Sequence, residues 1–410
     1  IMNLQNKWAS DLTSKDRQKA QKAAEHIINT PDIQAWQCLI SNADYLFSFI
    51  KDKIGQNLLK AINKNNYNNV FELFKYYSAD WDDYLAESLS KFSCDNLNEK
   101  ILNLLIQGSI EEKAYAAKYF CFVPYEKSKH ALFKASQLDY QPIKINTAQA
   151  LGKLNDIESF NYYINKLNTD DDWEKLEASR FLSAFGNQDA VIPMLKAMSS
   201  SDMSEHIAGE VATLCNIYEL FDSNDFNTKL LALEAFDNVI SGLSEIWTLS
   251  VLFDFKVFEC IDKLINLAKI NQEDNFSGKY AQLLLKAKSK ISLFFENNQY
   301  TFDEEKHVLS ELEEIHHLLT SQSQDFWEKQ LENINKELIQ ENENRKLSAI
   351  SVISDIKNHK SINSLLELIS NPHETQIVTC EAVSALAILD SIEKINNQEV
   401  ILLRITDENL

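Results

Sequence analysis

The chain has 410 residues, with 40 Lys and Arg against 61 Asp and Glu, a formal net charge of −21. That balance repels phosphate backbones, so nucleic-acid binding, which draws its affinity from counterion release by basic side chains, falls outside the expected functions. Seven glycines and five prolines are too few to punctuate a β-rich protein, and no apolar run reaches the roughly 20 residues of a membrane span, which leaves an all-α chain.

Residues 1–108 read as an N-terminal helical region with weak repeat character. Thr13 with Asp16, Thr30 before Pro31, and Asp80 with Asp83 are helix-start signals. The aromatic run Tyr67, Phe71, Phe74, Tyr76, Tyr77, Trp81 and Tyr84 has the spacing of packing faces, so a core role is expected rather than a ligand-stacking site.

Over 109–204 the chain repeats itself at an offset of 31 residues. The stretch from Lys118 to Val123 lines up with that from Gln149 to Leu154, and both with Arg180 to Phe185. Phe120, Leu151 and Leu182 anchor the units. Small residues follow them (Cys121, Gly152, Ser183), and Val123, Leu154 and Phe185 continue the apolar face one turn on. A second helix follows each anchor helix, with Phe160, Tyr163, Ile164 and Leu167 in one unit and Val191, Met194, Leu195 and Met198 in the next. Units of this length cannot bury an apolar face alone, so they stack into a solenoid. Ser109-Ile110-Glu111-Glu112 reads as a capping box, and Asp171-Asp172-Trp173-Glu174 opens the third unit in the same way. The triplet Asp170, Asp171 and Asp172 lacks the alternating spacing and glycine of a calcium loop, so capping accounts for it.

From 205 to 342 the repeat degenerates into an irregular helical region, with helices expected over 205–220, 227–241, 256–271, 276–296, 303–320 and 325–342. The last two form an acidic hairpin. Residues 303–343 hold twelve acids against three lysines, and Val308, Leu309, Leu312, Ile315 and Leu319 line one face. Capping the groove, insertion between repeat blocks and homodimerisation are its three candidate roles. The repeat returns over 343–410, with an anchor helix at Ser351 to Ile356, its partner at Ile362, Leu366 and Ile369, and a further unit at Ala385 to Leu389 that opens on Asn371-Pro372-His373-Glu374.

The run Thr147-Ala148-Gln149-Ala150-Leu151-Gly152-Lys153-Leu154-Asn155-Asp156 resembles the core of the HEAT-like repeats, especially the short bacterial kind also found in phycobilisome lyases. The resemblance covers about 110–204 and 344–402. It implies a right-handed α-solenoid, a HEAT/armadillo-like superhelix of antiparallel helix pairs. Adaptors, scaffolds, bilin-attachment proteins and DNA alkyl-base glycosylases all use such repeats, so the fold names no activity.

Six cysteines (Cys38, Cys94, Cys121, Cys215, Cys260 and Cys380) are scattered without a C-x-x-C pair. That suits a reducing compartment, and with no apolar leader after Met2 a cytoplasmic location is expected. Glu313 stands three and four residues before His316 and His317, but no third ligand accompanies them, so a solvated helix face is expected and no metal. His206, beside Glu205 and with Glu210 four residues on, reads as a structural hydrogen bond. A glycine-rich phosphate loop, G-x-S-x-G and H-E-x-x-H are all missing, so no catalytic residue is nominated and no cofactor is expected.

In HEAT-like solenoids the second helix of each pair lines the concave surface. Its outward columns here are Lys127, Glu158, Asp189; Ala131, Tyr162, Pro193; and Lys134, Asn165, Lys196. Lys134, Tyr162, Asn165 and Lys196 form a polar stripe with one aromatic anchor, the composition of a face for a protein or peptide partner. The reading is a non-catalytic interaction scaffold or adaptor. The alternative, ranked second, is a lyase-type or accessory enzyme handling a tetrapyrrole or similar ligand.

Overall fold

The computed structural model describes residues 10–29, 62–63, 67–68, 82–241, 282–289, 291–292, 317, 319–321, 331–357 and 359–389. Among the described residues all regular structure is helical. The chain divides into two compact units, Ile1–Asn165 with Arg180–Asn187, and Lys166–Ser179 with Gln188–Leu410. The architecture is an all-α solenoid of antiparallel, HEAT-like helix pairs.

In the first unit, α1 (Arg17–Ile28) is capped by Asp16, whose carboxylate accepts from the amides of Gln18 and Lys19. Then come α2 (Asp82–Ser90), α3 (Asp95–Gln107), α4 (Ile110–Phe122), α5 (Lys129–Ser136), α6 (Gln141–Lys153) and α7 (Ile157–Lys166), and α8 (Asp172–Phe185) contributes its last turns, from Arg180, to this unit. They alternate between two layers. Helices α2, α4 and α6 pack on one another in turn, α3 packs on α5, and α3 and α5 each close against the first-layer helix that follows. Of the aromatic run, Tyr67 stacks on Phe92 with centroids 5.3 Å apart, and Tyr84 is half-buried; the rest lies outside the described residues.

The repeat anchors Phe120, Leu151 and Leu182 are fully buried. The small residue after each lets a neighbouring helix come close. A Cβ built on Gly152 would stand 2.1 Å from the Phe185 carbonyl oxygen, so only glycine fits where α8 ends against α6. One pair earlier, the Cys121 thiol donates to the Asn146 carbonyl at 3.1 Å, and the Asn146 amide donates to the Ala114 carbonyl at 3.2 Å. These bonds satisfy polar groups that burial would otherwise penalise. The capping box is present: the Ser109 hydroxyl accepts from the Glu112 amide, and Glu112 Oε2 accepts from the Ser109 amide at 2.8 Å.

One repeated feature is conformational. Asn155 (φ 49°) and Gly186 (φ 81°) stand 31 residues apart just past α6 and α8, both in the left-handed region. These corners turn the chain from first layer to second. After α4 the corner is built differently: Val123 has φ −123°, and Pro124, whose ring holds φ near about −65°, follows it.

In the second unit, α9 (Val191–Met198), α10 (Ser204–Leu214), α11 (Ile217–Phe221) and α12 (Phe226–Ile240) precede a helical stretch at 282–289. They are followed by α13 (Leu331–Glu337), α14 (Glu343–Ile356), α15 (Ile362–Ser370) and α16 (Gln376–Ile388). The helix expected over 205–220 is broken at Cys215, because the Asn216 side chain accepts from the Tyr218 amide at 3.1 Å and starts a new, five-residue helix. The slot beside α9 goes to α12 instead. The Asn238 side-chain amide donates to the carbonyls of Met198 at 2.8 Å and Ser201 at 3.0 Å, which sets the C-terminal ends of α12 and α9 together. The insertion of α11 stretches the period, which is why the repeat fades here.

Asp171 caps α8 by accepting from the amides of Trp173 and Glu174 at 2.8 and 3.0 Å, but the Glu174 carboxylate pairs with Lys166 instead of closing a box. Its neighbour Asp172 ties the next connection down. Burial pushes its carboxyl up, and the Asp202 amide, Lys175 and Ser201 more than offset this, leaving it below the ordinary carboxylate range. Asn371 to Glu374 forms a turn rather than the expected cap; Thr375 caps α16 by accepting from the Val378 amide. Helix α14 ends on Lys357 at φ 54°, a third left-handed corner. Of the remaining expected helices, 256–271 and most of 303–320 lie outside the described residues, while α13 falls within the helix expected over 325–342.

The seam between α12 and α14 is charged. Lys286, with no exposed surface, places its ammonium 2.7 Å from Asp237 and 2.5 Å from Glu337, while Arg345 approaches Asp237 at 3.5 Å. Beside it Lys288 pairs with Asp355, and the hydroxyls of Ser289 and Ser351 meet at 2.6 Å. Burial, then the neighbouring Asp237 carboxylate, push the Glu337 carboxyl above its ordinary range against the pull of Lys286.

Candidate protein-interaction face

The second-layer helices α3, α5 and α7 each bury one side and expose the other. Leu97, Ile101 and Leu105 of α3, Leu132 and Ala135 of α5, and Phe160 of α7 face inward. Their exposed sides carry the candidate stripe of the first unit.

Tyr162 is 38% exposed, yet it is held in place. Its ring meets Phe133 edge-on at 5.1 Å and Tyr163 at 5.1 Å. Tyr163 in turn stacks on Phe181 at 3.6 Å, and its hydroxyl meets that of Ser136 at 3.0 Å. The aromatic ladder thus runs from core to surface and presents a stiff ring, which loses little rotamer freedom on binding. Lys134 and Asn165 flank it, both exposed and without a side-chain partner among the described residues. Lys196 is exposed on α9, at the matching register of the other unit.

The remaining columns are otherwise occupied. The Lys127 ammonium stands 2.7 Å from Glu99 Oε1, which also accepts the Tyr125 hydroxyl at 2.7 Å. Lys127, and then Tyr125, hold the Glu99 carboxyl below its ordinary range, and Glu99 raises Lys127 in return. Glu158 and Asp189 are exposed, while Ala131 and Pro193 are half-buried.

Sequence reasoning missed four residues of this face. Phe133 reads as core by spacing, yet it supports Tyr162. Lys100 and Asn103 of α3, and Asn161 of α7, are exposed on the same layer. The apolar positions Leu97, Ile101 and Leu105, four residues apart, were the signal that α3 belongs to it.

No other sequence candidate forms a chemical centre among the described residues. His206 Nδ1 lies 3.3 Å from Glu205 Oε1, a contact without hydrogen-bond geometry. His317 is exposed, and Glu313, Glu314 and His316 lie outside the described residues. No group of three or more His, Cys, Asp or Glu stands ready for a metal among the described residues. No described helix is long and apolar enough to cross a membrane.

No protein-family model matches the chain, and no curated protein matches it. Among solved structures it is similar to importin beta, at 10% identity over 97% of this chain and 58% of that one, with a TM-score of 0.27. It is similar also to Kap121p bound to Nup53p, at 13% identity over 98% of this chain and 43% of that one, with a TM-score of 0.30. An engineered protein aligns at 15% identity over 94% of this chain and 99% of that one, with a TM-score of 0.23. The chain therefore spans well under two thirds of the importin beta and Kap121p chains, and the fold assignment rests on the helix pairs themselves.

Proposed function

We propose that the protein is a non-catalytic scaffold that binds a protein partner along the exposed face of its second-layer helices. Tyr162 carries the reading: a large aromatic ring, locked from behind by Phe133 and Tyr163, stands at the surface with Lys134 and Asn165, whose side chains have no partner among the described residues. Binding energy concentrates on such rigid aromatic anchors, while the polar groups around them set register. Lys196, exposed on α9 of the second unit, is proposed as a contact in its own right. The thiols of Cys94, Cys121, Cys215 and Cys380, none of them in a disulfide, suit a reducing, cytoplasmic setting.

The short-repeat resemblance around Gly152 supplies the competing reading, a lyase-type protein that handles a tetrapyrrole. One purification separates the two. Tagged protein is isolated from its own cells, and the eluate is analysed by mass spectrometry and by absorbance. A stoichiometric protein partner that is lost with Tyr162→Ala and weakened by Lys134→Glu or Lys196→Glu supports the scaffold. A visible chromophore without a protein partner overturns it.

A further inference from the structure

The insertion of α11 adds a rigid corner to the second unit. Ile217, Leu220 and Phe221 are buried, and the Phe221 ring meets Phe236 of α12 at 5.0 Å, so the corner is held from below. The turn that follows is held as well. The Ser223 hydroxyl accepts from the Asp225 amide at 3.1 Å, and Asp225 caps α12 by accepting from the Thr228 amide at 2.8 Å. On this base Phe226, the first residue of α12, leaves 59% of its surface exposed. Insertions in a solenoid gather on one face and often carry its binding.

The charge around that ring is negative and its surroundings do not neutralise it. Glu219, Asp222 and Asp225 are exposed and have no basic partner among the described residues. The Gln188 side-chain amide donates to the Leu214 carbonyl at 3.4 Å, which brings the exposed Asp189 to the same end. Helix α12 packs on α9, α10 and α11, and the basic side chains of these four helices are Lys196, His206 and Lys229. Lys196 and His206 belong to the far end, where Asn238 bonds the Met198 and Ser201 carbonyls, so Lys229 alone stands against four carboxylates at the Phe226 end. Asp225 is partly spent on the helix start: the Thr228 hydroxyl, then its amide, hold the carboxyl below its ordinary range. Glu219 is not spent in this way, and its charge reaches the Cys215 thiol, which burial and then this carboxylate push up to about 11.

We propose that the corner of α11 and α12 is a separate docking point for an arginine-bearing segment of a protein partner, with a guanidinium on the Phe226 ring that donates to Asp222 and Glu219. An exposed aromatic among carboxylates suits a guanidinium better than an ammonium, because only the planar group stacks on a ring and forks to a carboxylate at once. An apolar segment would desolvate these carboxylates without pairing them, and an acidic one is repelled. Tyr162 belongs to the first unit, so this docking point goes beyond the proposed scaffold face, and neither depends on the other.

The test uses the full chain and a short fluorescein-labelled peptide of Arg, Leu and Gly, read by anisotropy, with the same peptide carrying Lys or Glu for Arg as controls. The Arg peptide is expected to bind, the Lys peptide more weakly and the Glu peptide not at all. Asp222→Lys should weaken the Arg peptide on the order of tenfold, whereas Asp170→Lys, an equal change of charge at an exposed carboxylate ahead of α8, should leave it within about twofold. Phe226→Ala should weaken it about three- to fivefold and bring the Arg and Lys peptides closer together. All three substituted side chains are exposed, so helicity by circular dichroism should match that of the unsubstituted chain. An Arg peptide that binds no better than the Lys peptide, loses as much with Asp170→Lys as with Asp222→Lys, or ignores Phe226→Ala overturns the proposal. Any of these outcomes leaves the Tyr162 reading standing, since the Tyr162→Ala purification decides that one.

Discussion

The two units join their helices by opposite means. In the first, α4, α6 and α8 meet through small residues and a few satisfied polar groups: glycine at 152 against the Phe185 carbonyl, and Cys121 and Asn146 bonding neighbouring backbone. In the second, α12, α13 and α14 meet around a buried lysine with two carboxylates and an arginine. The first kind of seam depends on shape and repeats from unit to unit. The second depends on charge balance and occurs once among the described residues. A buried ion pair is weak evidence of net stability, because desolvation opposes the attraction, but removing one partner strands the others.

The largest effect should come from breaking the charged seam on one side. Lys286→Met leaves Asp237 and Glu337 facing each other, with an expected loss of about 3–5 kcal/mol in urea denaturation. Adding Asp237→Leu and Glu337→Leu should recover much of it, and failure to recover would mean that the cluster holds the seam in a way apolar packing cannot replace. In the shape-dependent seam, Gly152→Ala forces the Phe185 backbone to move, an overpacking cost of about 1–3 kcal/mol. A melting temperature unchanged by that substitution would contradict the close approach. The pH dependence also divides the units. Since the Glu337 carboxyl sits above its ordinary range of 4.5, folding favours its protonated form, and its contribution is full below that value and declines as pH rises through the raised one. Glu337→Gln should therefore remove a component of the stability profile that declines as pH rises above the ordinary carboxylate range, whereas substitutions in α4 or α6 leave the slope as it is. Smallest is the capping box. Glu112→Ala should cost about 0.5–1 kcal/mol, measurable as lost amide-exchange protection confined to the start of α4.

The same contrast explains what the sequence made legible. Phe120, Leu151 and Leu182 recur at a fixed interval because a shape-dependent seam needs the same volumes each time, so the helix pairs of 109–204 can be read off directly. Nothing in the residues around Lys286 announces its burial: a lysine reads as surface until Asp237 and Glu337, some fifty positions away on either side, are brought to it. The split of the expected 205–220 helix turns on Asn216, a local cap within an otherwise helical pattern. For the candidate face, spacing along α5 and α7 named Lys134, Tyr162 and Asn165 as outward, and all three are exposed. Spacing could not show that Phe133 backs Tyr162, since a partly covered aromatic and a core aromatic obey the same period.

The left-handed corners bear on how such a chain changes over time. Asn155, Gly186 and Lys357 hold one backbone shape with three unrelated side chains. Only glycine adopts that shape without penalty, and lysine there forgoes roughly 1 kcal/mol. Two of the three corners therefore carry a residue other than the one their geometry favours, and the fold absorbs the cost. Each is a single substitution away from added stability, a reserve against which the exposed face can vary its binding residues without the helix pairs coming apart.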